Sequence, residues 1–417
     1  VARSELNELL RRLTLPIYLP AALYATGAAA IIPVLPLVGL RLGLNVAQVA
    51  LLVTLAGLVT VVGPLPAGQV VSRIGERAAL VVGGLVSITA VAGCLAAAVA
   101  GTGPTPAPGW AAPLFCVGIL VMSLGDLTWD LGRQTYLADE VPSQFRARAM
   151  TVFGGTMRVG RIIGPLVGAA VITLAGPASA FAVHLVAALV SLTLIVVFIP
   201  PHTNLATPSD EERPDAPARR GEVLRPLLLV GVSVVVLTIA RTNRDLLLPL
   251  LGNAFGYSEA TVSLVFAVAA VVELAFIVPA GSLMDRFGRA AVLVPCLALM
   301  GVGFLASGQA ATLPGFVGVS VVCAVGNGLG SGINKTLSAD LTPVQHRAGW
   351  LGLWNSYTGT GGLLGPAMVA LAPSVVGAGS ATGWVSLVGA AWALWWVPRL
   401  LPARADPVPV ASSGDTD

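Results

Sequence analysis

Charge is scarce in this chain. Asp, Glu, Lys and Arg make up 10% of its 417 residues, against about 25% in a soluble domain. A conventional solvated surface is therefore excluded. Lysine is almost missing: Lys335 is the only one, and the rest of the 23 basic residues are Arg. The net charge of +3 is too small to imply a nucleic-acid partner. Four cysteines, Cys94, Cys116, Cys296 and Cys323, lie scattered in apolar segments without a CxxC pair, which argues against a disulfide framework or a thiolate metal site. With three histidines and no HExxH, GxSxG or GxxxxGK[ST], neither a metal nor an ATP site is expected, and an enzyme is disfavoured; Lys335-Thr336 follows Asn334 rather than Gly. The opening VARSELNELLRR carries both signs of charge and does not read as a cleaved signal peptide.

What is abundant is apolar sequence: 56% of residues are hydrophobic and the mean hydropathy is +0.87. A spanning helix needs about 20 such residues. Twelve runs qualify, at 14–40, 46–71, 78–100, 112–137, 149–174, 178–199, 225–251, 259–283, 291–311, 314–338, 349–372 and 380–399. They are called spans 1 to 12 below. The predicted fold is an all-α polytopic membrane protein with the lipid bilayer as its solvent. Residues 200–224 are Pro-rich and charged and read as a linker. They divide a six-helix half at 1–199 from a second at 225–400, with a disordered tail at 401–417. Sixteen of the 23 basic residues fall in segments on one side of this topology and only Arg41 on the other. Both termini and the linker are therefore expected in the cytoplasm, and the protein in the cell membrane.

The halves repeat one another. LADEVPSQFRARA at 137–149 aligns with LSADLTPVQHRAG at 337–349, a shift of 201 that pairs Asp139 with Asp340 and Arg146 with Arg347. The same shift pairs Gly164-Pro165 with Gly365-Pro366. GQVVSRIGER at 68–77 aligns with GSLMDRFGRA at 281–290. Tandem six-helix halves are a recurrent transporter design, with the substrate bound near the midplane between them.

These motifs give the chain a resemblance to the major facilitator superfamily over essentially its whole length. Gly281, Asp285, Arg286, Gly288 and Arg289 after span 8 are similar to the family's loop motif. Its copy after span 2 keeps Gly68, Arg73 and Gly75, with Ser72 where the family usually has Asp. Asp139, Pro142 and Arg146 after span 4 are a secondary feature of the same family. In span 5, Gly160, Gly164, Pro165 and Gly168 resemble the antiporter motif of bacterial drug and metabolite:proton exporters. The resemblance implies alternating access by a monomer, driven by a proton gradient without a bound cofactor. It also implies a small-molecule substrate site lined by spans 1, 4, 7 and 10, with spans 5, 8 and 11 contributing. Independently, glycines every four residues form a smooth stripe that admits a neighbouring helix, and tight packing alone would explain them.

Charges inside the membrane cost about 2.5–3.5 kcal/mol each at mid-depth, so each needs a reason. Span 4 carries Asp126, Asp130 and Arg133 on one face, and span 5 carries Arg158 and Arg161. The simplest arrangement pairs Asp126 or Asp130 with Arg158 or Arg161. Asp126, Asp130 and Glu273 of span 8 are the proton-carrier candidates. Arg133 and Lys335 lie close enough to the cytoplasmic end to snorkel. In span 7, Arg241 and Asp245 are spaced to pair within the helix, leaving Arg244 free, while Glu273 has Arg241 or Arg244 as partners across helices. Asn327 and Asn334 of span 10 stand where the repeat has Asp126 and Arg133. Tyr24, Trp354 and Tyr357 complete the candidate cavity lining. Two functions follow: proton-coupled efflux of drug-like or secondary-metabolite molecules, or carriage of an anionic organic solute held by the intramembrane arginines.

Overall fold

The structure is a computed structural model that describes residues 2–103, 106–141, 143–199, 220–342 and 347–401. Among them there is no strand, and ten helical segments are long and apolar enough to cross a membrane. Spans 2 and 11 complete the twelve as pairs of shorter helices, Val46–Val62 with Pro64–Ile74 and Arg347–Gly359 with Gly361–Leu371. Pro64 has no N–H to continue the ladder, which accounts for the break in span 2. Span 1 runs through Ala2–Leu13, a wider-wound turn at Thr14–Tyr18, and Leu19–Ile31. Spans 3 to 6 are Glu76–Ala100, Ala111–Glu140, Ser143–Ala175 and Ala178–Phe198. Spans 7 to 9 are Arg220–Ala254, Glu259–Phe287 and Ala290–Leu305. Span 12 is Val375–Leu400. Span 7 thus begins within the expected linker, of which residues 200–219 lie outside the described residues, as does the expected tail beyond Leu401.

Span 10 departs from the expectation of one continuous helix. It is broken into Leu313–Leu329 and Ile333–Leu341. The break falls in the glycine-rich run GNGLGSG, and Gly332 there has φ +84°. An L side chain rarely adopts that backbone conformation. Its repeat counterpart, span 4, has Trp129 and Leu131 in place of Gly330 and Gly332 and stays unbroken.

The repeat seen in sequence is a repeat of packing. Span 1 lies on spans 5 and 6 as span 7 lies on spans 11 and 12, and span 3 lies on 4 and 6 as span 9 lies on 10 and 12. The halves meet where span 5 runs along span 8 and span 2 along span 11. The glycine stripe of span 5 faces span 1. A Cβ at Gly160 would sit 2.5 Å from the Ala22 carbonyl oxygen, and one at Gly164 2.5 Å from both Ala29 Cβ and the Thr26 oxygen. In the second half Gly361 and Gly365 approach Val235 and Asn243 of span 7 in the same way.

The face carrying both chain ends is called near and the opposite face far. Apolar clusters that join the two halves draw on the far ends of spans 1 and 2. Val49 and Ala50 pack into the core of the second half, and Leu37 packs with Leu248, Leu251 and Val262. Arg41 meets Glu259 at 2.5 Å on the same face. The near-face cluster around Leu13, Leu137 and Phe153 contains residues of the first half alone. Among the described residues the apolar clusters therefore join the halves at the far face, and a space lies between them at mid-depth.

Candidate functional site

That space is a cavity of about 470 Å³ between the halves. Span 5 supplies Arg158 and Arg161, and span 7 supplies Arg241, Arg244 and Asp245. Glu273 comes from span 8, and Asn327, Ser331, Asn334 and Lys335 from span 10. Ile32, Ile162, Pro165, Phe266 and Ala270 form its apolar wall. Five cationic side chains face two carboxylates.

The ion pairing differs from the expected one. Arg244 is not the free charge of span 7: its Nη1 donates to Glu273 Oε2 at 3.0 Å. Arg241 does not pair with Asp245 along the helix. It reaches span 10, donating from Nε to Asn327 Oδ1 at 2.7 Å and from Nη2 to the Gly330 carbonyl at 2.8 Å. The break in span 10 explains this. The carbonyl end of Leu313–Leu329 carries partial negative charge and unsatisfied oxygens, which a guanidinium fork satisfies. Asp245 lies within electrostatic reach of Arg244, Arg161 and Arg241. Arg158, Arg161 and Lys335 are exposed to the cavity, and among the described residues none of them has an ion pair or hydrogen bond. Lys335 does not snorkel away from the cavity; it forms part of the wall.

Span 4 does not contribute to this lining, and the proposed pairing of Asp126 or Asp130 with Arg158 or Arg161 is not formed. Arg158 and Arg161 turn toward the second half, whereas Asp126 turns into the first. Its carboxylate accepts from Tyr24 and from Ser87, the latter at 2.9 Å. Asp130 accepts from Gln134 at 2.8 Å and lies 3.8 Å from Arg133 Nη2. Arg133 does not snorkel. It is 1% exposed and within 6 Å of the ring centres of Tyr24, Trp129 and Phe153, and among the described residues its Nε and Nη1 have no hydrogen-bond partner. Cation–π attraction in a desolvated box accounts for its tolerance there. His184 is buried beside Tyr24, its ring 4.8 Å from the phenol.

The other candidates divide between support and packing. Trp354 is buried outside the cavity and donates from Nε1 to Asn334 Oδ1 at 2.7 Å, which fixes a cavity residue from behind. Tyr357 donates to the Leu228 carbonyl and Tyr24 is sealed against Asp126, so neither lines the cavity. Gly75 and Gly288 have φ +83° and +84° at the two repeat-related turns, which is why both loop motifs keep glycine there. Arg73 and Arg286 are exposed, and Gly68 and Gly281 lie within helices Pro64–Ile74 and Glu259–Phe287. Arg289 donates to Asp340 at 2.7 Å, tying the loop after span 8 to the near end of span 10. The Asp285 side chain and the motif side chains Asp139, Pro142 and Arg146 lie outside the described ones. Sequence reasoning missed Ser87, which carries no signal of its own. It also missed Ser331 and Gly332, whose glycine-rich context was a readable sign of a helix break.

The comparisons with known proteins agree with this architecture. The sequence model of the Major Facilitator Superfamily matches residues 17–244 and again 230–414. No curated protein matches the chain. Among solved structures, the fold is similar to a bacterial homologue of the iron transporter ferroportin in an inward-facing state. That match has 16% identity and a TM-score of 0.74 over 93% of this chain and 99% of the other. A POT family transporter in complex with a thioalcohol-conjugated peptide matches at 12% identity and a TM-score of 0.73, over 94% and 97%. A D-xylose–proton symporter matches at 17% identity and a TM-score of 0.66, over 94% and 98%. At these identities the structures speak for the fold alone. With two repeated six-helix halves around one central cavity, and the family's sequence model matching both, the chain belongs to the Major Facilitator Superfamily and is a membrane transporter rather than an enzyme.

Proposed function

We propose that this transporter carries organic anions by alternating access, binding them in the cavity between the halves. The observation that carries the reading is the charge of that cavity. Glu273 neutralises Arg244, and one carboxylate, Asp245, stands against Arg158, Arg161, Arg241 and Lys335. At low local dielectric such an excess attracts an anion and repels a lipophilic cation. The reading therefore favours the anionic-solute hypothesis over efflux of cationic drugs. The span 5 glycine motif, which resembles that of exporters, supports outward carriage. The distribution of Arg supports cytoplasmic termini in the cell membrane.

A proton gradient is the proposed energy source. Glu273 is its proposed carrier, because it is the cavity carboxylate whose protonation would release a bond between two helices. Asp126 and Asp130 are set aside because they lie off the cavity. Proteoliposomes holding the purified protein test the whole reading. Flux of naphthalene-1-sulfonate, a permanently charged fluorescent anion, is expected to saturate and to respond to an imposed pH gradient. Ethidium flux is expected to stay at the level of empty liposomes. Ethidium transport without naphthalenesulfonate transport would overturn the proposal.

A further inference from the structure

The cations of the cavity are unevenly committed. Arg244 and Arg241 are held by Glu273, Asn327 and the Gly330 carbonyl. Among the described residues Arg158 and Lys335 have no ion pair or hydrogen bond. They come from opposite halves and converge on the break in span 10. The Arg158 Nη2 lies 3.7 Å from where a Cβ on Gly332 would stand, and the Lys335 Nζ lies 3.6 Å from the corresponding point on Gly154. Gly154 and Arg158 are one turn apart on span 5, and Gly332 and Lys335 one turn apart on span 10. The two side chains therefore cross the same gap in opposite directions.

The backbone adds to this charge. Helix Ile333–Leu341 starts at the break, and no side chain caps its N-terminus. Its first N–H, of Ile333, is taken by the Gly330 carbonyl at 3.3 Å, but the positive end of its dipole lies in the cavity wall, beside the Ser331 hydroxyl. Arg244 belongs to the same wall but is held by Glu273 and lies over the Phe266 ring, so it is not part of the break. The opposite, outward end of the cavity is apolar: Ile32, Ile162, Pro165, Phe266 and Ala270.

We propose that the substrate is an organic anion with an apolar body, whose compact oxyanion head sits at the break in span 10 between Arg158 and Lys335. Its body lies outward against Phe266, Ile162 and Pro165. This rests on the anion-carrier reading and narrows it. A small hydrophilic anion would satisfy the head site and leave the apolar wall wet; a neutral aromatic molecule would leave two facing cations uncompensated. The head joins one residue of each half, so binding it offsets the repulsion between those two cations.

Equilibrium binding to the purified full-length protein, in nanodiscs of zwitterionic lipid, tests this with two probes that share one head. Naphthalene-1-sulfonate is expected to bind at least tenfold more tightly than methanesulfonate. Arg158→Gln and Lys335→Gln are each expected to weaken naphthalenesulfonate about tenfold, the typical worth of a charge-assisted hydrogen bond. Lys335→Arg is expected to retain binding. Phe266→Ala is expected to weaken naphthalenesulfonate and leave methanesulfonate unchanged. Both cations face the cavity, so an unchanged melting temperature without ligand shows that the variants fold. Lys335→Arg remains informative if Lys335→Gln does not fold. Equal affinity of the two probes, or binding indifferent to Arg158 and Lys335, overturns the inference while leaving an anion carrier. Absence of binding by either anion, with ethidium bound, overturns the carrier reading as well.

Discussion

Arg244 of span 7 donates to Glu273 of span 8 at 3.0 Å within the wall of the cavity, and the arginine is the more deeply buried of the two. Removing only the acid leaves a desolvated guanidinium without its counter-ion. Glu273→Gln is therefore expected to cost about 3 kcal/mol, whereas Arg244→Met with Glu273→Leu together is expected to recover most of that loss. Thermal unfolding of the single and double variants checks the non-additivity. In proteoliposomes Glu273→Gln is expected to retain anion flux and lose its response to a pH gradient.

The far face is held by a different kind of pair. Arg41 and Glu259 are 2.5 Å apart but partly solvated, with side chains 42% and 20% exposed. Pairs of that kind contribute up to about 1 kcal/mol, which corresponds to roughly a fivefold change in a two-state ratio. Glu259→Ala is expected to raise the far-open population by up to that factor. Distance measurements between spin labels at the far ends of spans 1 and 8 report it. The exchanged pair, Arg41→Glu with Glu259→Arg, is expected to restore the closed population.

Glycine spacing makes a prediction about stability rather than gating. A Cβ on Gly164 would meet Ala29 Cβ and the Thr26 oxygen at 2.5 Å, and both belong to a packed helix. Gly164→Ala is expected to destabilise the first half by about 1–3 kcal/mol, the usual cost of overpacking. Gly155, nine residues earlier in the same helix, has nothing within 4 Å of that position. Gly155→Ala is expected to stabilise by about 0.5–1 kcal/mol through helix propensity. Unfolding in detergent, followed by intrinsic fluorescence, separates the two signs.

Much of the fold was legible because the bilayer enforces it. A run of about 20 apolar residues has few alternatives to a spanning helix, and the 201-residue shift exposed the repeat that organises the packing. The lining of the cavity was legible in part, and its pairing was not: Asp126, Asp130, Arg133, Tyr24, Trp354 and Tyr357 lie off it. Arg158, Arg161, Arg241, Arg244, Asp245, Glu273, Asn327, Asn334 and Lys335 were singled out as rare charges and amides, and the structure gathers all nine around one cavity. Spacing along a helix suggested that Arg241 would take Asp245. The arginine instead satisfies the Gly330 carbonyl and the Asn327 amide oxygen at a helix break that periodicity does not register. The same limit applies to span 4, where Asp126 is turned inward by Tyr24 and Ser87, residues distant in sequence and ordinary in type.

Asp126 makes the division of labour between the halves testable. Its carboxylate accepts from Tyr24 and Ser87, and the two hydroxyls are themselves 2.5 Å apart, so spans 1, 3 and 4 are joined at one point outside the cavity. In Asp126→Asn the amide oxygen still accepts from both hydroxyls, but the charge that strengthens those two bonds is lost. A loss of about 1–2 kcal/mol is expected on that ground. Anion affinity is expected to change less than twofold, because no cavity atom is altered. Proton-driven flux is expected to persist in Asp126→Asn and to fail in Glu273→Gln. The reverse pattern, measured in the same liposomes, would move proton coupling from the cavity to the sealed cluster of the first half.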